Sequence, residues 1–142
     1  MRPPQFPAAQ QSARWPIAGG ALLGALAVLA GAFAAHALRG RLAPEALTLV
    51  DTASRYQLLH ALAMVAVGLL QLMHPSLATR LSAASFAAGI LFFCGSLYAL
   101  AFGAPRALGM IAPIGGVLLV SGWLGLAVSG WQTAALAADR AN

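Results

Sequence analysis

Apolar residues in this chain form long unbroken runs rather than an alternating pattern. Four such runs, over residues 16–38, 56–73, 81–103 and 107–131, are separated by short polar breaks. Each has 18 or more residues. At 1.5 Å of rise per helical residue, that length crosses the roughly 30 Å hydrocarbon layer of a bilayer. A backbone in lipid must satisfy its own hydrogen bonds, so each run predicts a helix. His74-Pro75 closes the second run, because proline disfavours helical geometry in the residue before it. Trp15, Trp123 and Trp131 stand at or toward run ends, where an interfacial belt places them.

The segments between the runs are uneven. Residues 1–15 hold Pro3, Pro4, Pro7 and two arginines without an apolar period, which predicts a disordered tail, and residues 132–142 form a C-terminal tail. The first connection is the long one. Pro44 suits a helix start, Glu45 complements that end of the helix dipole, and Asp51 and Arg55 are spaced to pair on one face. Residues 44–55 therefore read as a short interfacial helix leading into the second span. The other connections are tight, so neighbouring spans run antiparallel. The expected fold class is all-α: an integral membrane four-helix bundle with a short interfacial helix in loop one. A rival reading of the first run is a signal peptide, with Arg2 and Arg14 ahead of it and Ala32-Phe33-Ala34 as the cleavage site. The run is longer than the usual 7–15-residue apolar region of such peptides, which favours a retained span.

Composition agrees with lipid as the solvent. Of 142 residues, 61% are hydrophobic and 8% charged, against about 25% charged in soluble domains. The net charge of +5 comes from eight arginines, spread singly beside the apolar runs. That spacing suits lipid headgroups and not nucleic acid. Arg2, Arg14, Arg80 and Arg140 fall on one side of the membrane and Arg39, Arg41, Arg55 and Arg106 on the other, so positive charge assigns no orientation. A single cysteine, Cys94, excludes an internal disulfide and a cysteine-based zinc site.

Small residues mark packing faces. The first run carries Gly20 and Gly24, continued by Ala27, Gly31 and Ala35; the fourth carries Ser121, Gly125 and Ser129, with Gly115, Gly116 and Gly122 nearby. These faces let backbones approach closely in lipid, within the monomer or, alternatively, in a homo-oligomer or with a partner subunit. A softer stripe of Gln57, His60, Met64, Gly68 and Gln71 follows the second run, and Ser82, Ser85, Gly89 and Ser96 follow the third.

Candidate chemistry is one-sided. The topology places His36, Arg55, Tyr56, Gln57, His60, Ser96 and Tyr98 in the half of the membrane next to the first loop, and Pro113 there is expected to break the fourth helix. Ionisable residues within spans mark candidate sites, so these seven form a candidate ligand-binding set. The competing reading is that tyrosines and histidines near helix ends anchor to headgroups. His36 and His60 differ in depth, which is a poor match to a bis-histidine haem, and they lack the companions a metal site needs. No Asp or Glu lies within a run, which weakens ion-coupled transport. No nucleophile–base pair is apparent, and Cys94 reads as a small core residue.

At these positions the chain resembles a known family. Gly31-Ala32-Phe33-Ala34-Ala35-His36-Ala37-Leu38, Asp51 to Leu62 (DTASRYQLLHAL), Gly95-Ser96-Leu97-Tyr98-Ala99-Leu100 and Pro113-Ile114-Gly115-Gly116 are similar, in order, to segments of the small membrane proteins called domain of unknown function 423. With Gly122-Trp123 the resemblance covers about residues 17–125. Ala34, Asp51 and Ala112 depart from the family's glycine, glutamate and threonine. The resemblance implies a multi-spanning helical protein, of the bacterial inner membrane in most members, and no settled activity. The expectation is a non-enzymatic membrane protein that binds a lipid headgroup, a quinone-like molecule or a partner subunit. The alternatives are a redox or enzyme subunit holding a quinone-like or haem cofactor, and a small-solute transporter.

Overall fold

A computed structural model describes the backbone of residues 8–141 and the surroundings of residues 12–134. Four long helices account for most of the described residues. α1 spans Ala8–Ala35 and α2 spans Pro44–Met73. α3 spans Leu77–Ala101 and contains a π-turn at Ile90–Cys94. A 3-10 turn at Arg106–Met110 leads into α4, Ile111–Ala141. All four are long and apolar enough to cross a membrane, and the protein is an all-α multi-pass membrane protein.

The ends differ from the sequence expectation in physically readable ways. α1 begins by Ala8, so residues 8–15, expected in the tail, are helical; Ala8-Ala9-Gln10-Gln11 are strong helix formers. Residues 1–7 of the expected tail lie outside the described residues. The segment 44–55 is helical, as its start signals require, but it runs into the second span without a break. No glycine or proline occurs between Pro44 and Gly68 to interrupt it. Pro113 does not break α4: it stands in the first turn, where an amide N–H has no helical partner in any case. α4 continues to Ala141, through most of the expected C-terminal tail. α1 closes at Ala35 and α3 at Ala101, each before a turn that requires a glycine. Gly40 and Gly103 there have φ of 81° and 90°, a region that side chains with a Cβ avoid.

The helices pack in chain order: α1 along α2, α2 also against α3, and α3 along α4. The core lies where the inner pair meets α4. It comprises Ala53, Ala63, Met64 and Val67 of α2, Ala83, Phe86, Ile90 and Cys94 of α3, and Leu119 of α4. Outward faces are apolar, as lipid requires: Leu22, Val28, Leu29 and Phe33 on α1, and Val117, Val120, Leu124 and Val128 on α4, are all at least half exposed.

Glycines set the helix separations. A Cβ on Gly20 would lie 2.8 Å from the Ala61 carbonyl oxygen, and one on Gly68 would lie 2.6 Å from Ile17 Cγ1. On the other pair, a Cβ on Gly122 would lie 2.6 Å from the Phe86 ring, and one on Gly125 would lie 3.0 Å from Ser82 Cβ. Gly24 and Gly31 face α2 at ordinary contact distance, beside Ala61 and Ser54. Polar side chains also bridge helices. Gln57 Nε2 donates to the Leu23 carbonyl at 2.8 Å, and Ser82 Oγ donates to the Gly122 carbonyl at 2.6 Å. In lipid such bonds fix register, since each polar group would otherwise lack a partner.

Candidate functional site

The seven polar residues of the first-loop half are divided among several places. His36 lies exposed in the turn that follows α1. Arg55 is paired through Nε with Asp51 at 3.0 Å, one helical turn away, and both side chains are exposed by more than half. Such an exposed pair contributes little to stability.

Tyr56 and His60 belong to a ladder of rings. Tyr56 stacks on His60 at a centroid separation of 5.8 Å and meets Phe93 at 4.9 Å. His60 continues to Phe86 at 5.8 Å and Trp123 at 6.1 Å, and Phe86 and Trp123 meet edge to face. His60 is buried, and its Nδ1 lies 2.7 Å from the Tyr56 carbonyl. A carbonyl only accepts, so Nδ1 carries the proton. Trp123, expected in an interfacial belt, instead caps this ladder. The ladder is held by ring packing and a satisfied backbone bond, so His60 has a structural place. His36 and His60 share no ring contact among the described residues. No group of three or more His, Cys, Asp or Glu there could hold a metal ion.

Ser96 serves the π-turn. Over Ile90–Cys94 the helix widens by one residue per turn, and the Gly95 amide reaches back to the Ile90 carbonyl. Ser96 Oγ donates to the Phe93 carbonyl at 2.8 Å, supplying a hydrogen bond within the distorted turn. The widened backbone at Phe93 presses onto Gly115 of α4: a Cβ there would overlap the Phe93 amide nitrogen and lie 2.7 Å from its Cα. π-turns within helices are frequent at functional sites.

Beside this turn lies a groove of about 370 Å³. Leu23, Leu26 and Ala30 of α1 form one wall, and Ile90, Leu91 and Cys94 of α3 form the other. Gln57 of α2 lies between them, and Gly95 and Tyr98 line the same space. The groove is almost wholly apolar, with Gln57 and Tyr98 as its polar-bearing residues. The Tyr98 hydroxyl is buried and has no hydrogen-bond partner among the described residues. An unmatched buried hydroxyl costs about 1–3 kcal/mol. Thus Gln57 and Tyr98 are brought together here, while His36, Arg55, Tyr56, His60 and Ser96 line none of it. Sequence reasoning missed the apolar walls and Cys94. Their residue types match every other apolar position, and nothing in the local composition announces a π-turn.

Comparison with known proteins places most of these residues in one family. Residues 30–116 match the family described as protein of unknown function (DUF423). A UPF0382 membrane protein of Haemophilus influenzae is 46% identical over 116 residues, covering 82% of this chain and 93% of its own. UPF0382 membrane proteins of Staphylococcus epidermidis and Staphylococcus aureus are 41% and 38% identical over 110 and 115 residues, with 89% and 93% of their lengths covered. No solved structure matches. The matched region holds the first loop, α2, the π-turn of α3 and the start of α4, and the chain belongs to the DUF423 family of membrane proteins.

Proposed function

We propose that this protein is a non-enzymatic membrane binding protein whose groove between α1 and α3 holds a lipid-soluble molecule with a carbonyl-type oxygen. The observation that carries this reading is an apolar groove with Tyr98 in its lining, whose hydroxyl is covered by protein, lacks a partner among the described residues and would meet a ligand by turning into the groove. A phenol donates readily, and a quinone ring or an acyl ester offers the acceptor that the protein itself does not. The apolar walls suit the remainder of such a molecule, in the manner of ligand sites lined mainly by apolar side chains with a few polar groups. Gln57 contributes by fixing the α1 wall through its bond to Leu23.

Native mass spectrometry after mild detergent extraction tests this. The expected result is a discrete extra mass on the monomer, retained several-fold less by Tyr98→Phe, in keeping with the roughly 1 kcal/mol of one hydrogen bond. The mass then assigns a quinone or an acyl lipid. His36→Ala, which alters no groove residue, should keep it. Bare monomers in the wild type contradict the proposal. A homo-oligomer or a stoichiometric partner without small-molecule mass would favour an assembly role. α1 offers the surface for that second reading, since only 11% of its most apolar window is buried.

A further inference from the structure

A second cavity, independent of the groove, lies at the membrane edge on the first-loop side. It measures about 300 Å³ and is formed where the end of α1 meets the start of α2. Gly31 and Ala34, in the last turns of the first span, make one wall, and Leu47 and Thr48 make the other. Arg39 and Asp51 line it with charges of opposite sign. Among the described residues Arg39 has no ion-pair partner: Asp51 is held by Arg55 through Nε, at 3.1 Å to one carboxylate oxygen and 3.0 Å to the other. Thr48 Oγ1 spends its proton on the Pro44 carbonyl at 2.9 Å, so toward the cavity it can only accept.

We infer that this cavity receives the zwitterionic headgroup of a phospholipid bearing a primary ammonium, with its phosphate on Arg39 and its ammonium on Asp51 and Thr48. The chemistry is complementary at each point. The guanidinium fork suits a phosphate. A primary ammonium brings three donors to a carboxylate and a hydroxyl that both accept, whereas a quaternary choline nitrogen brings none. A glycerol headgroup brings no ammonium to Asp51 and Thr48. The occupant is a lipid and not a free phosphoamine because Gly31 and Ala34 belong to a membrane-spanning segment, which places the attached acyl chains beside α1.

The test is lipid competition on the full chain in detergent, read by native mass spectrometry. Phosphatidylethanolamine, phosphatidylcholine and phosphatidylglycerol of equal chain length are added in equal amounts. The expected result is phosphatidylethanolamine retained about threefold or more over each of the others, the scale that a partly exposed charge contact supplies. Asp51→Asn should abolish the preference over phosphatidylcholine, and Arg39→Gln should weaken retention of all three. Arg41→Gln, on the same loop but outside the cavity, should change neither. Equal retention of the three lipids, preference for phosphatidylglycerol, or a preference that survives Asp51→Asn overturns the assignment. Displacement by millimolar soluble phosphoethanolamine as effective as by the lipid would likewise overturn it, since the lipid's chains would then contribute nothing. All three substitutions are at exposed positions, and thermal unfolding of each variant separates loss of lipid from loss of fold.

Discussion

Replacing Gly115 by alanine should weaken the protein in a way that its neighbour Gly116 does not share. A Cβ at Gly115 would overlap the Phe93 amide and stand 2.7 Å from Phe93 Cα and 2.8 Å from its Cβ, whereas one at Gly116 meets nothing within 4 Å. The obstruction is backbone, which cannot rotate aside as a side chain could. It is moreover the backbone of the π-turn, so relief requires α3 and α4 to part or the turn to revert. Overpacking of this kind costs typically about 1–3 kcal/mol. Alanine in a helix gains back about 0.5–1 kcal/mol relative to glycine. Gly115→Ala should therefore destabilise by about 1–2 kcal/mol, and Gly116→Ala should be neutral or stabilising by up to about 1 kcal/mol. Reversible unfolding by mixed-micelle titration reads both in parallel. Equal stability of the two variants would refute the close approach of Phe93 to Gly115, and with it the stated reason for a glycine at that position.

Other perturbations follow from the same geometry. Gln71 is fully buried with neither amide atom partnered among the described residues, so Gln71→Leu should stabilise by about 1 kcal/mol or more, measured in the same titration; a clear loss would mean that the amide holds a partner. Gln57→Ala removes the bond that ties α2 to the Leu23 carbonyl and should cost about 1 kcal/mol, with α1 peptides gaining hydrogen exchange before those of α3. Cys94 is buried and lines the apolar groove. A membrane-impermeant maleimide should therefore fail to label it, while rapid labelling from water would favour the transporter alternative.

The long runs made the four spans legible, because bilayer thickness acts on length and apolarity alone. Helix ends were less legible. Residues 8–15 look like part of the tail because they follow Pro3, Pro4 and Pro7 and carry no apolar period, yet their alanines and glutamines extend α1. Pro113 was expected to interrupt a helix and only opens one, because its position relative to the helix start decides the effect. The candidate site was legible in part. Gln57 and Tyr98 stood out as polar residues in apolar runs, and both line the groove. The depth argument that grouped them with His36, His60 and Arg55 carries no azimuth, and rotation around each helix sends those three to a turn, a ring ladder and a surface pair. The groove lies beside a π-turn that packs Phe93 against Gly115 of another helix, a long-range contact that local sequence does not announce.

The most direct test of the groove fills it. Gly95 lines it, has an ordinary right-handed helical backbone, and a Cβ there would meet nothing within 4 Å, so Gly95→Leu should place its side chain in the ligand's space without disturbing the fold. This variant should unfold at least as stably as the wild type and lose the extra mass that Tyr98→Phe weakens, while keeping any lipid held at Arg39 and Asp51. A stable Gly95→Leu protein that keeps the mass in full would show that the molecule is bound elsewhere and would contradict the assignment of the site.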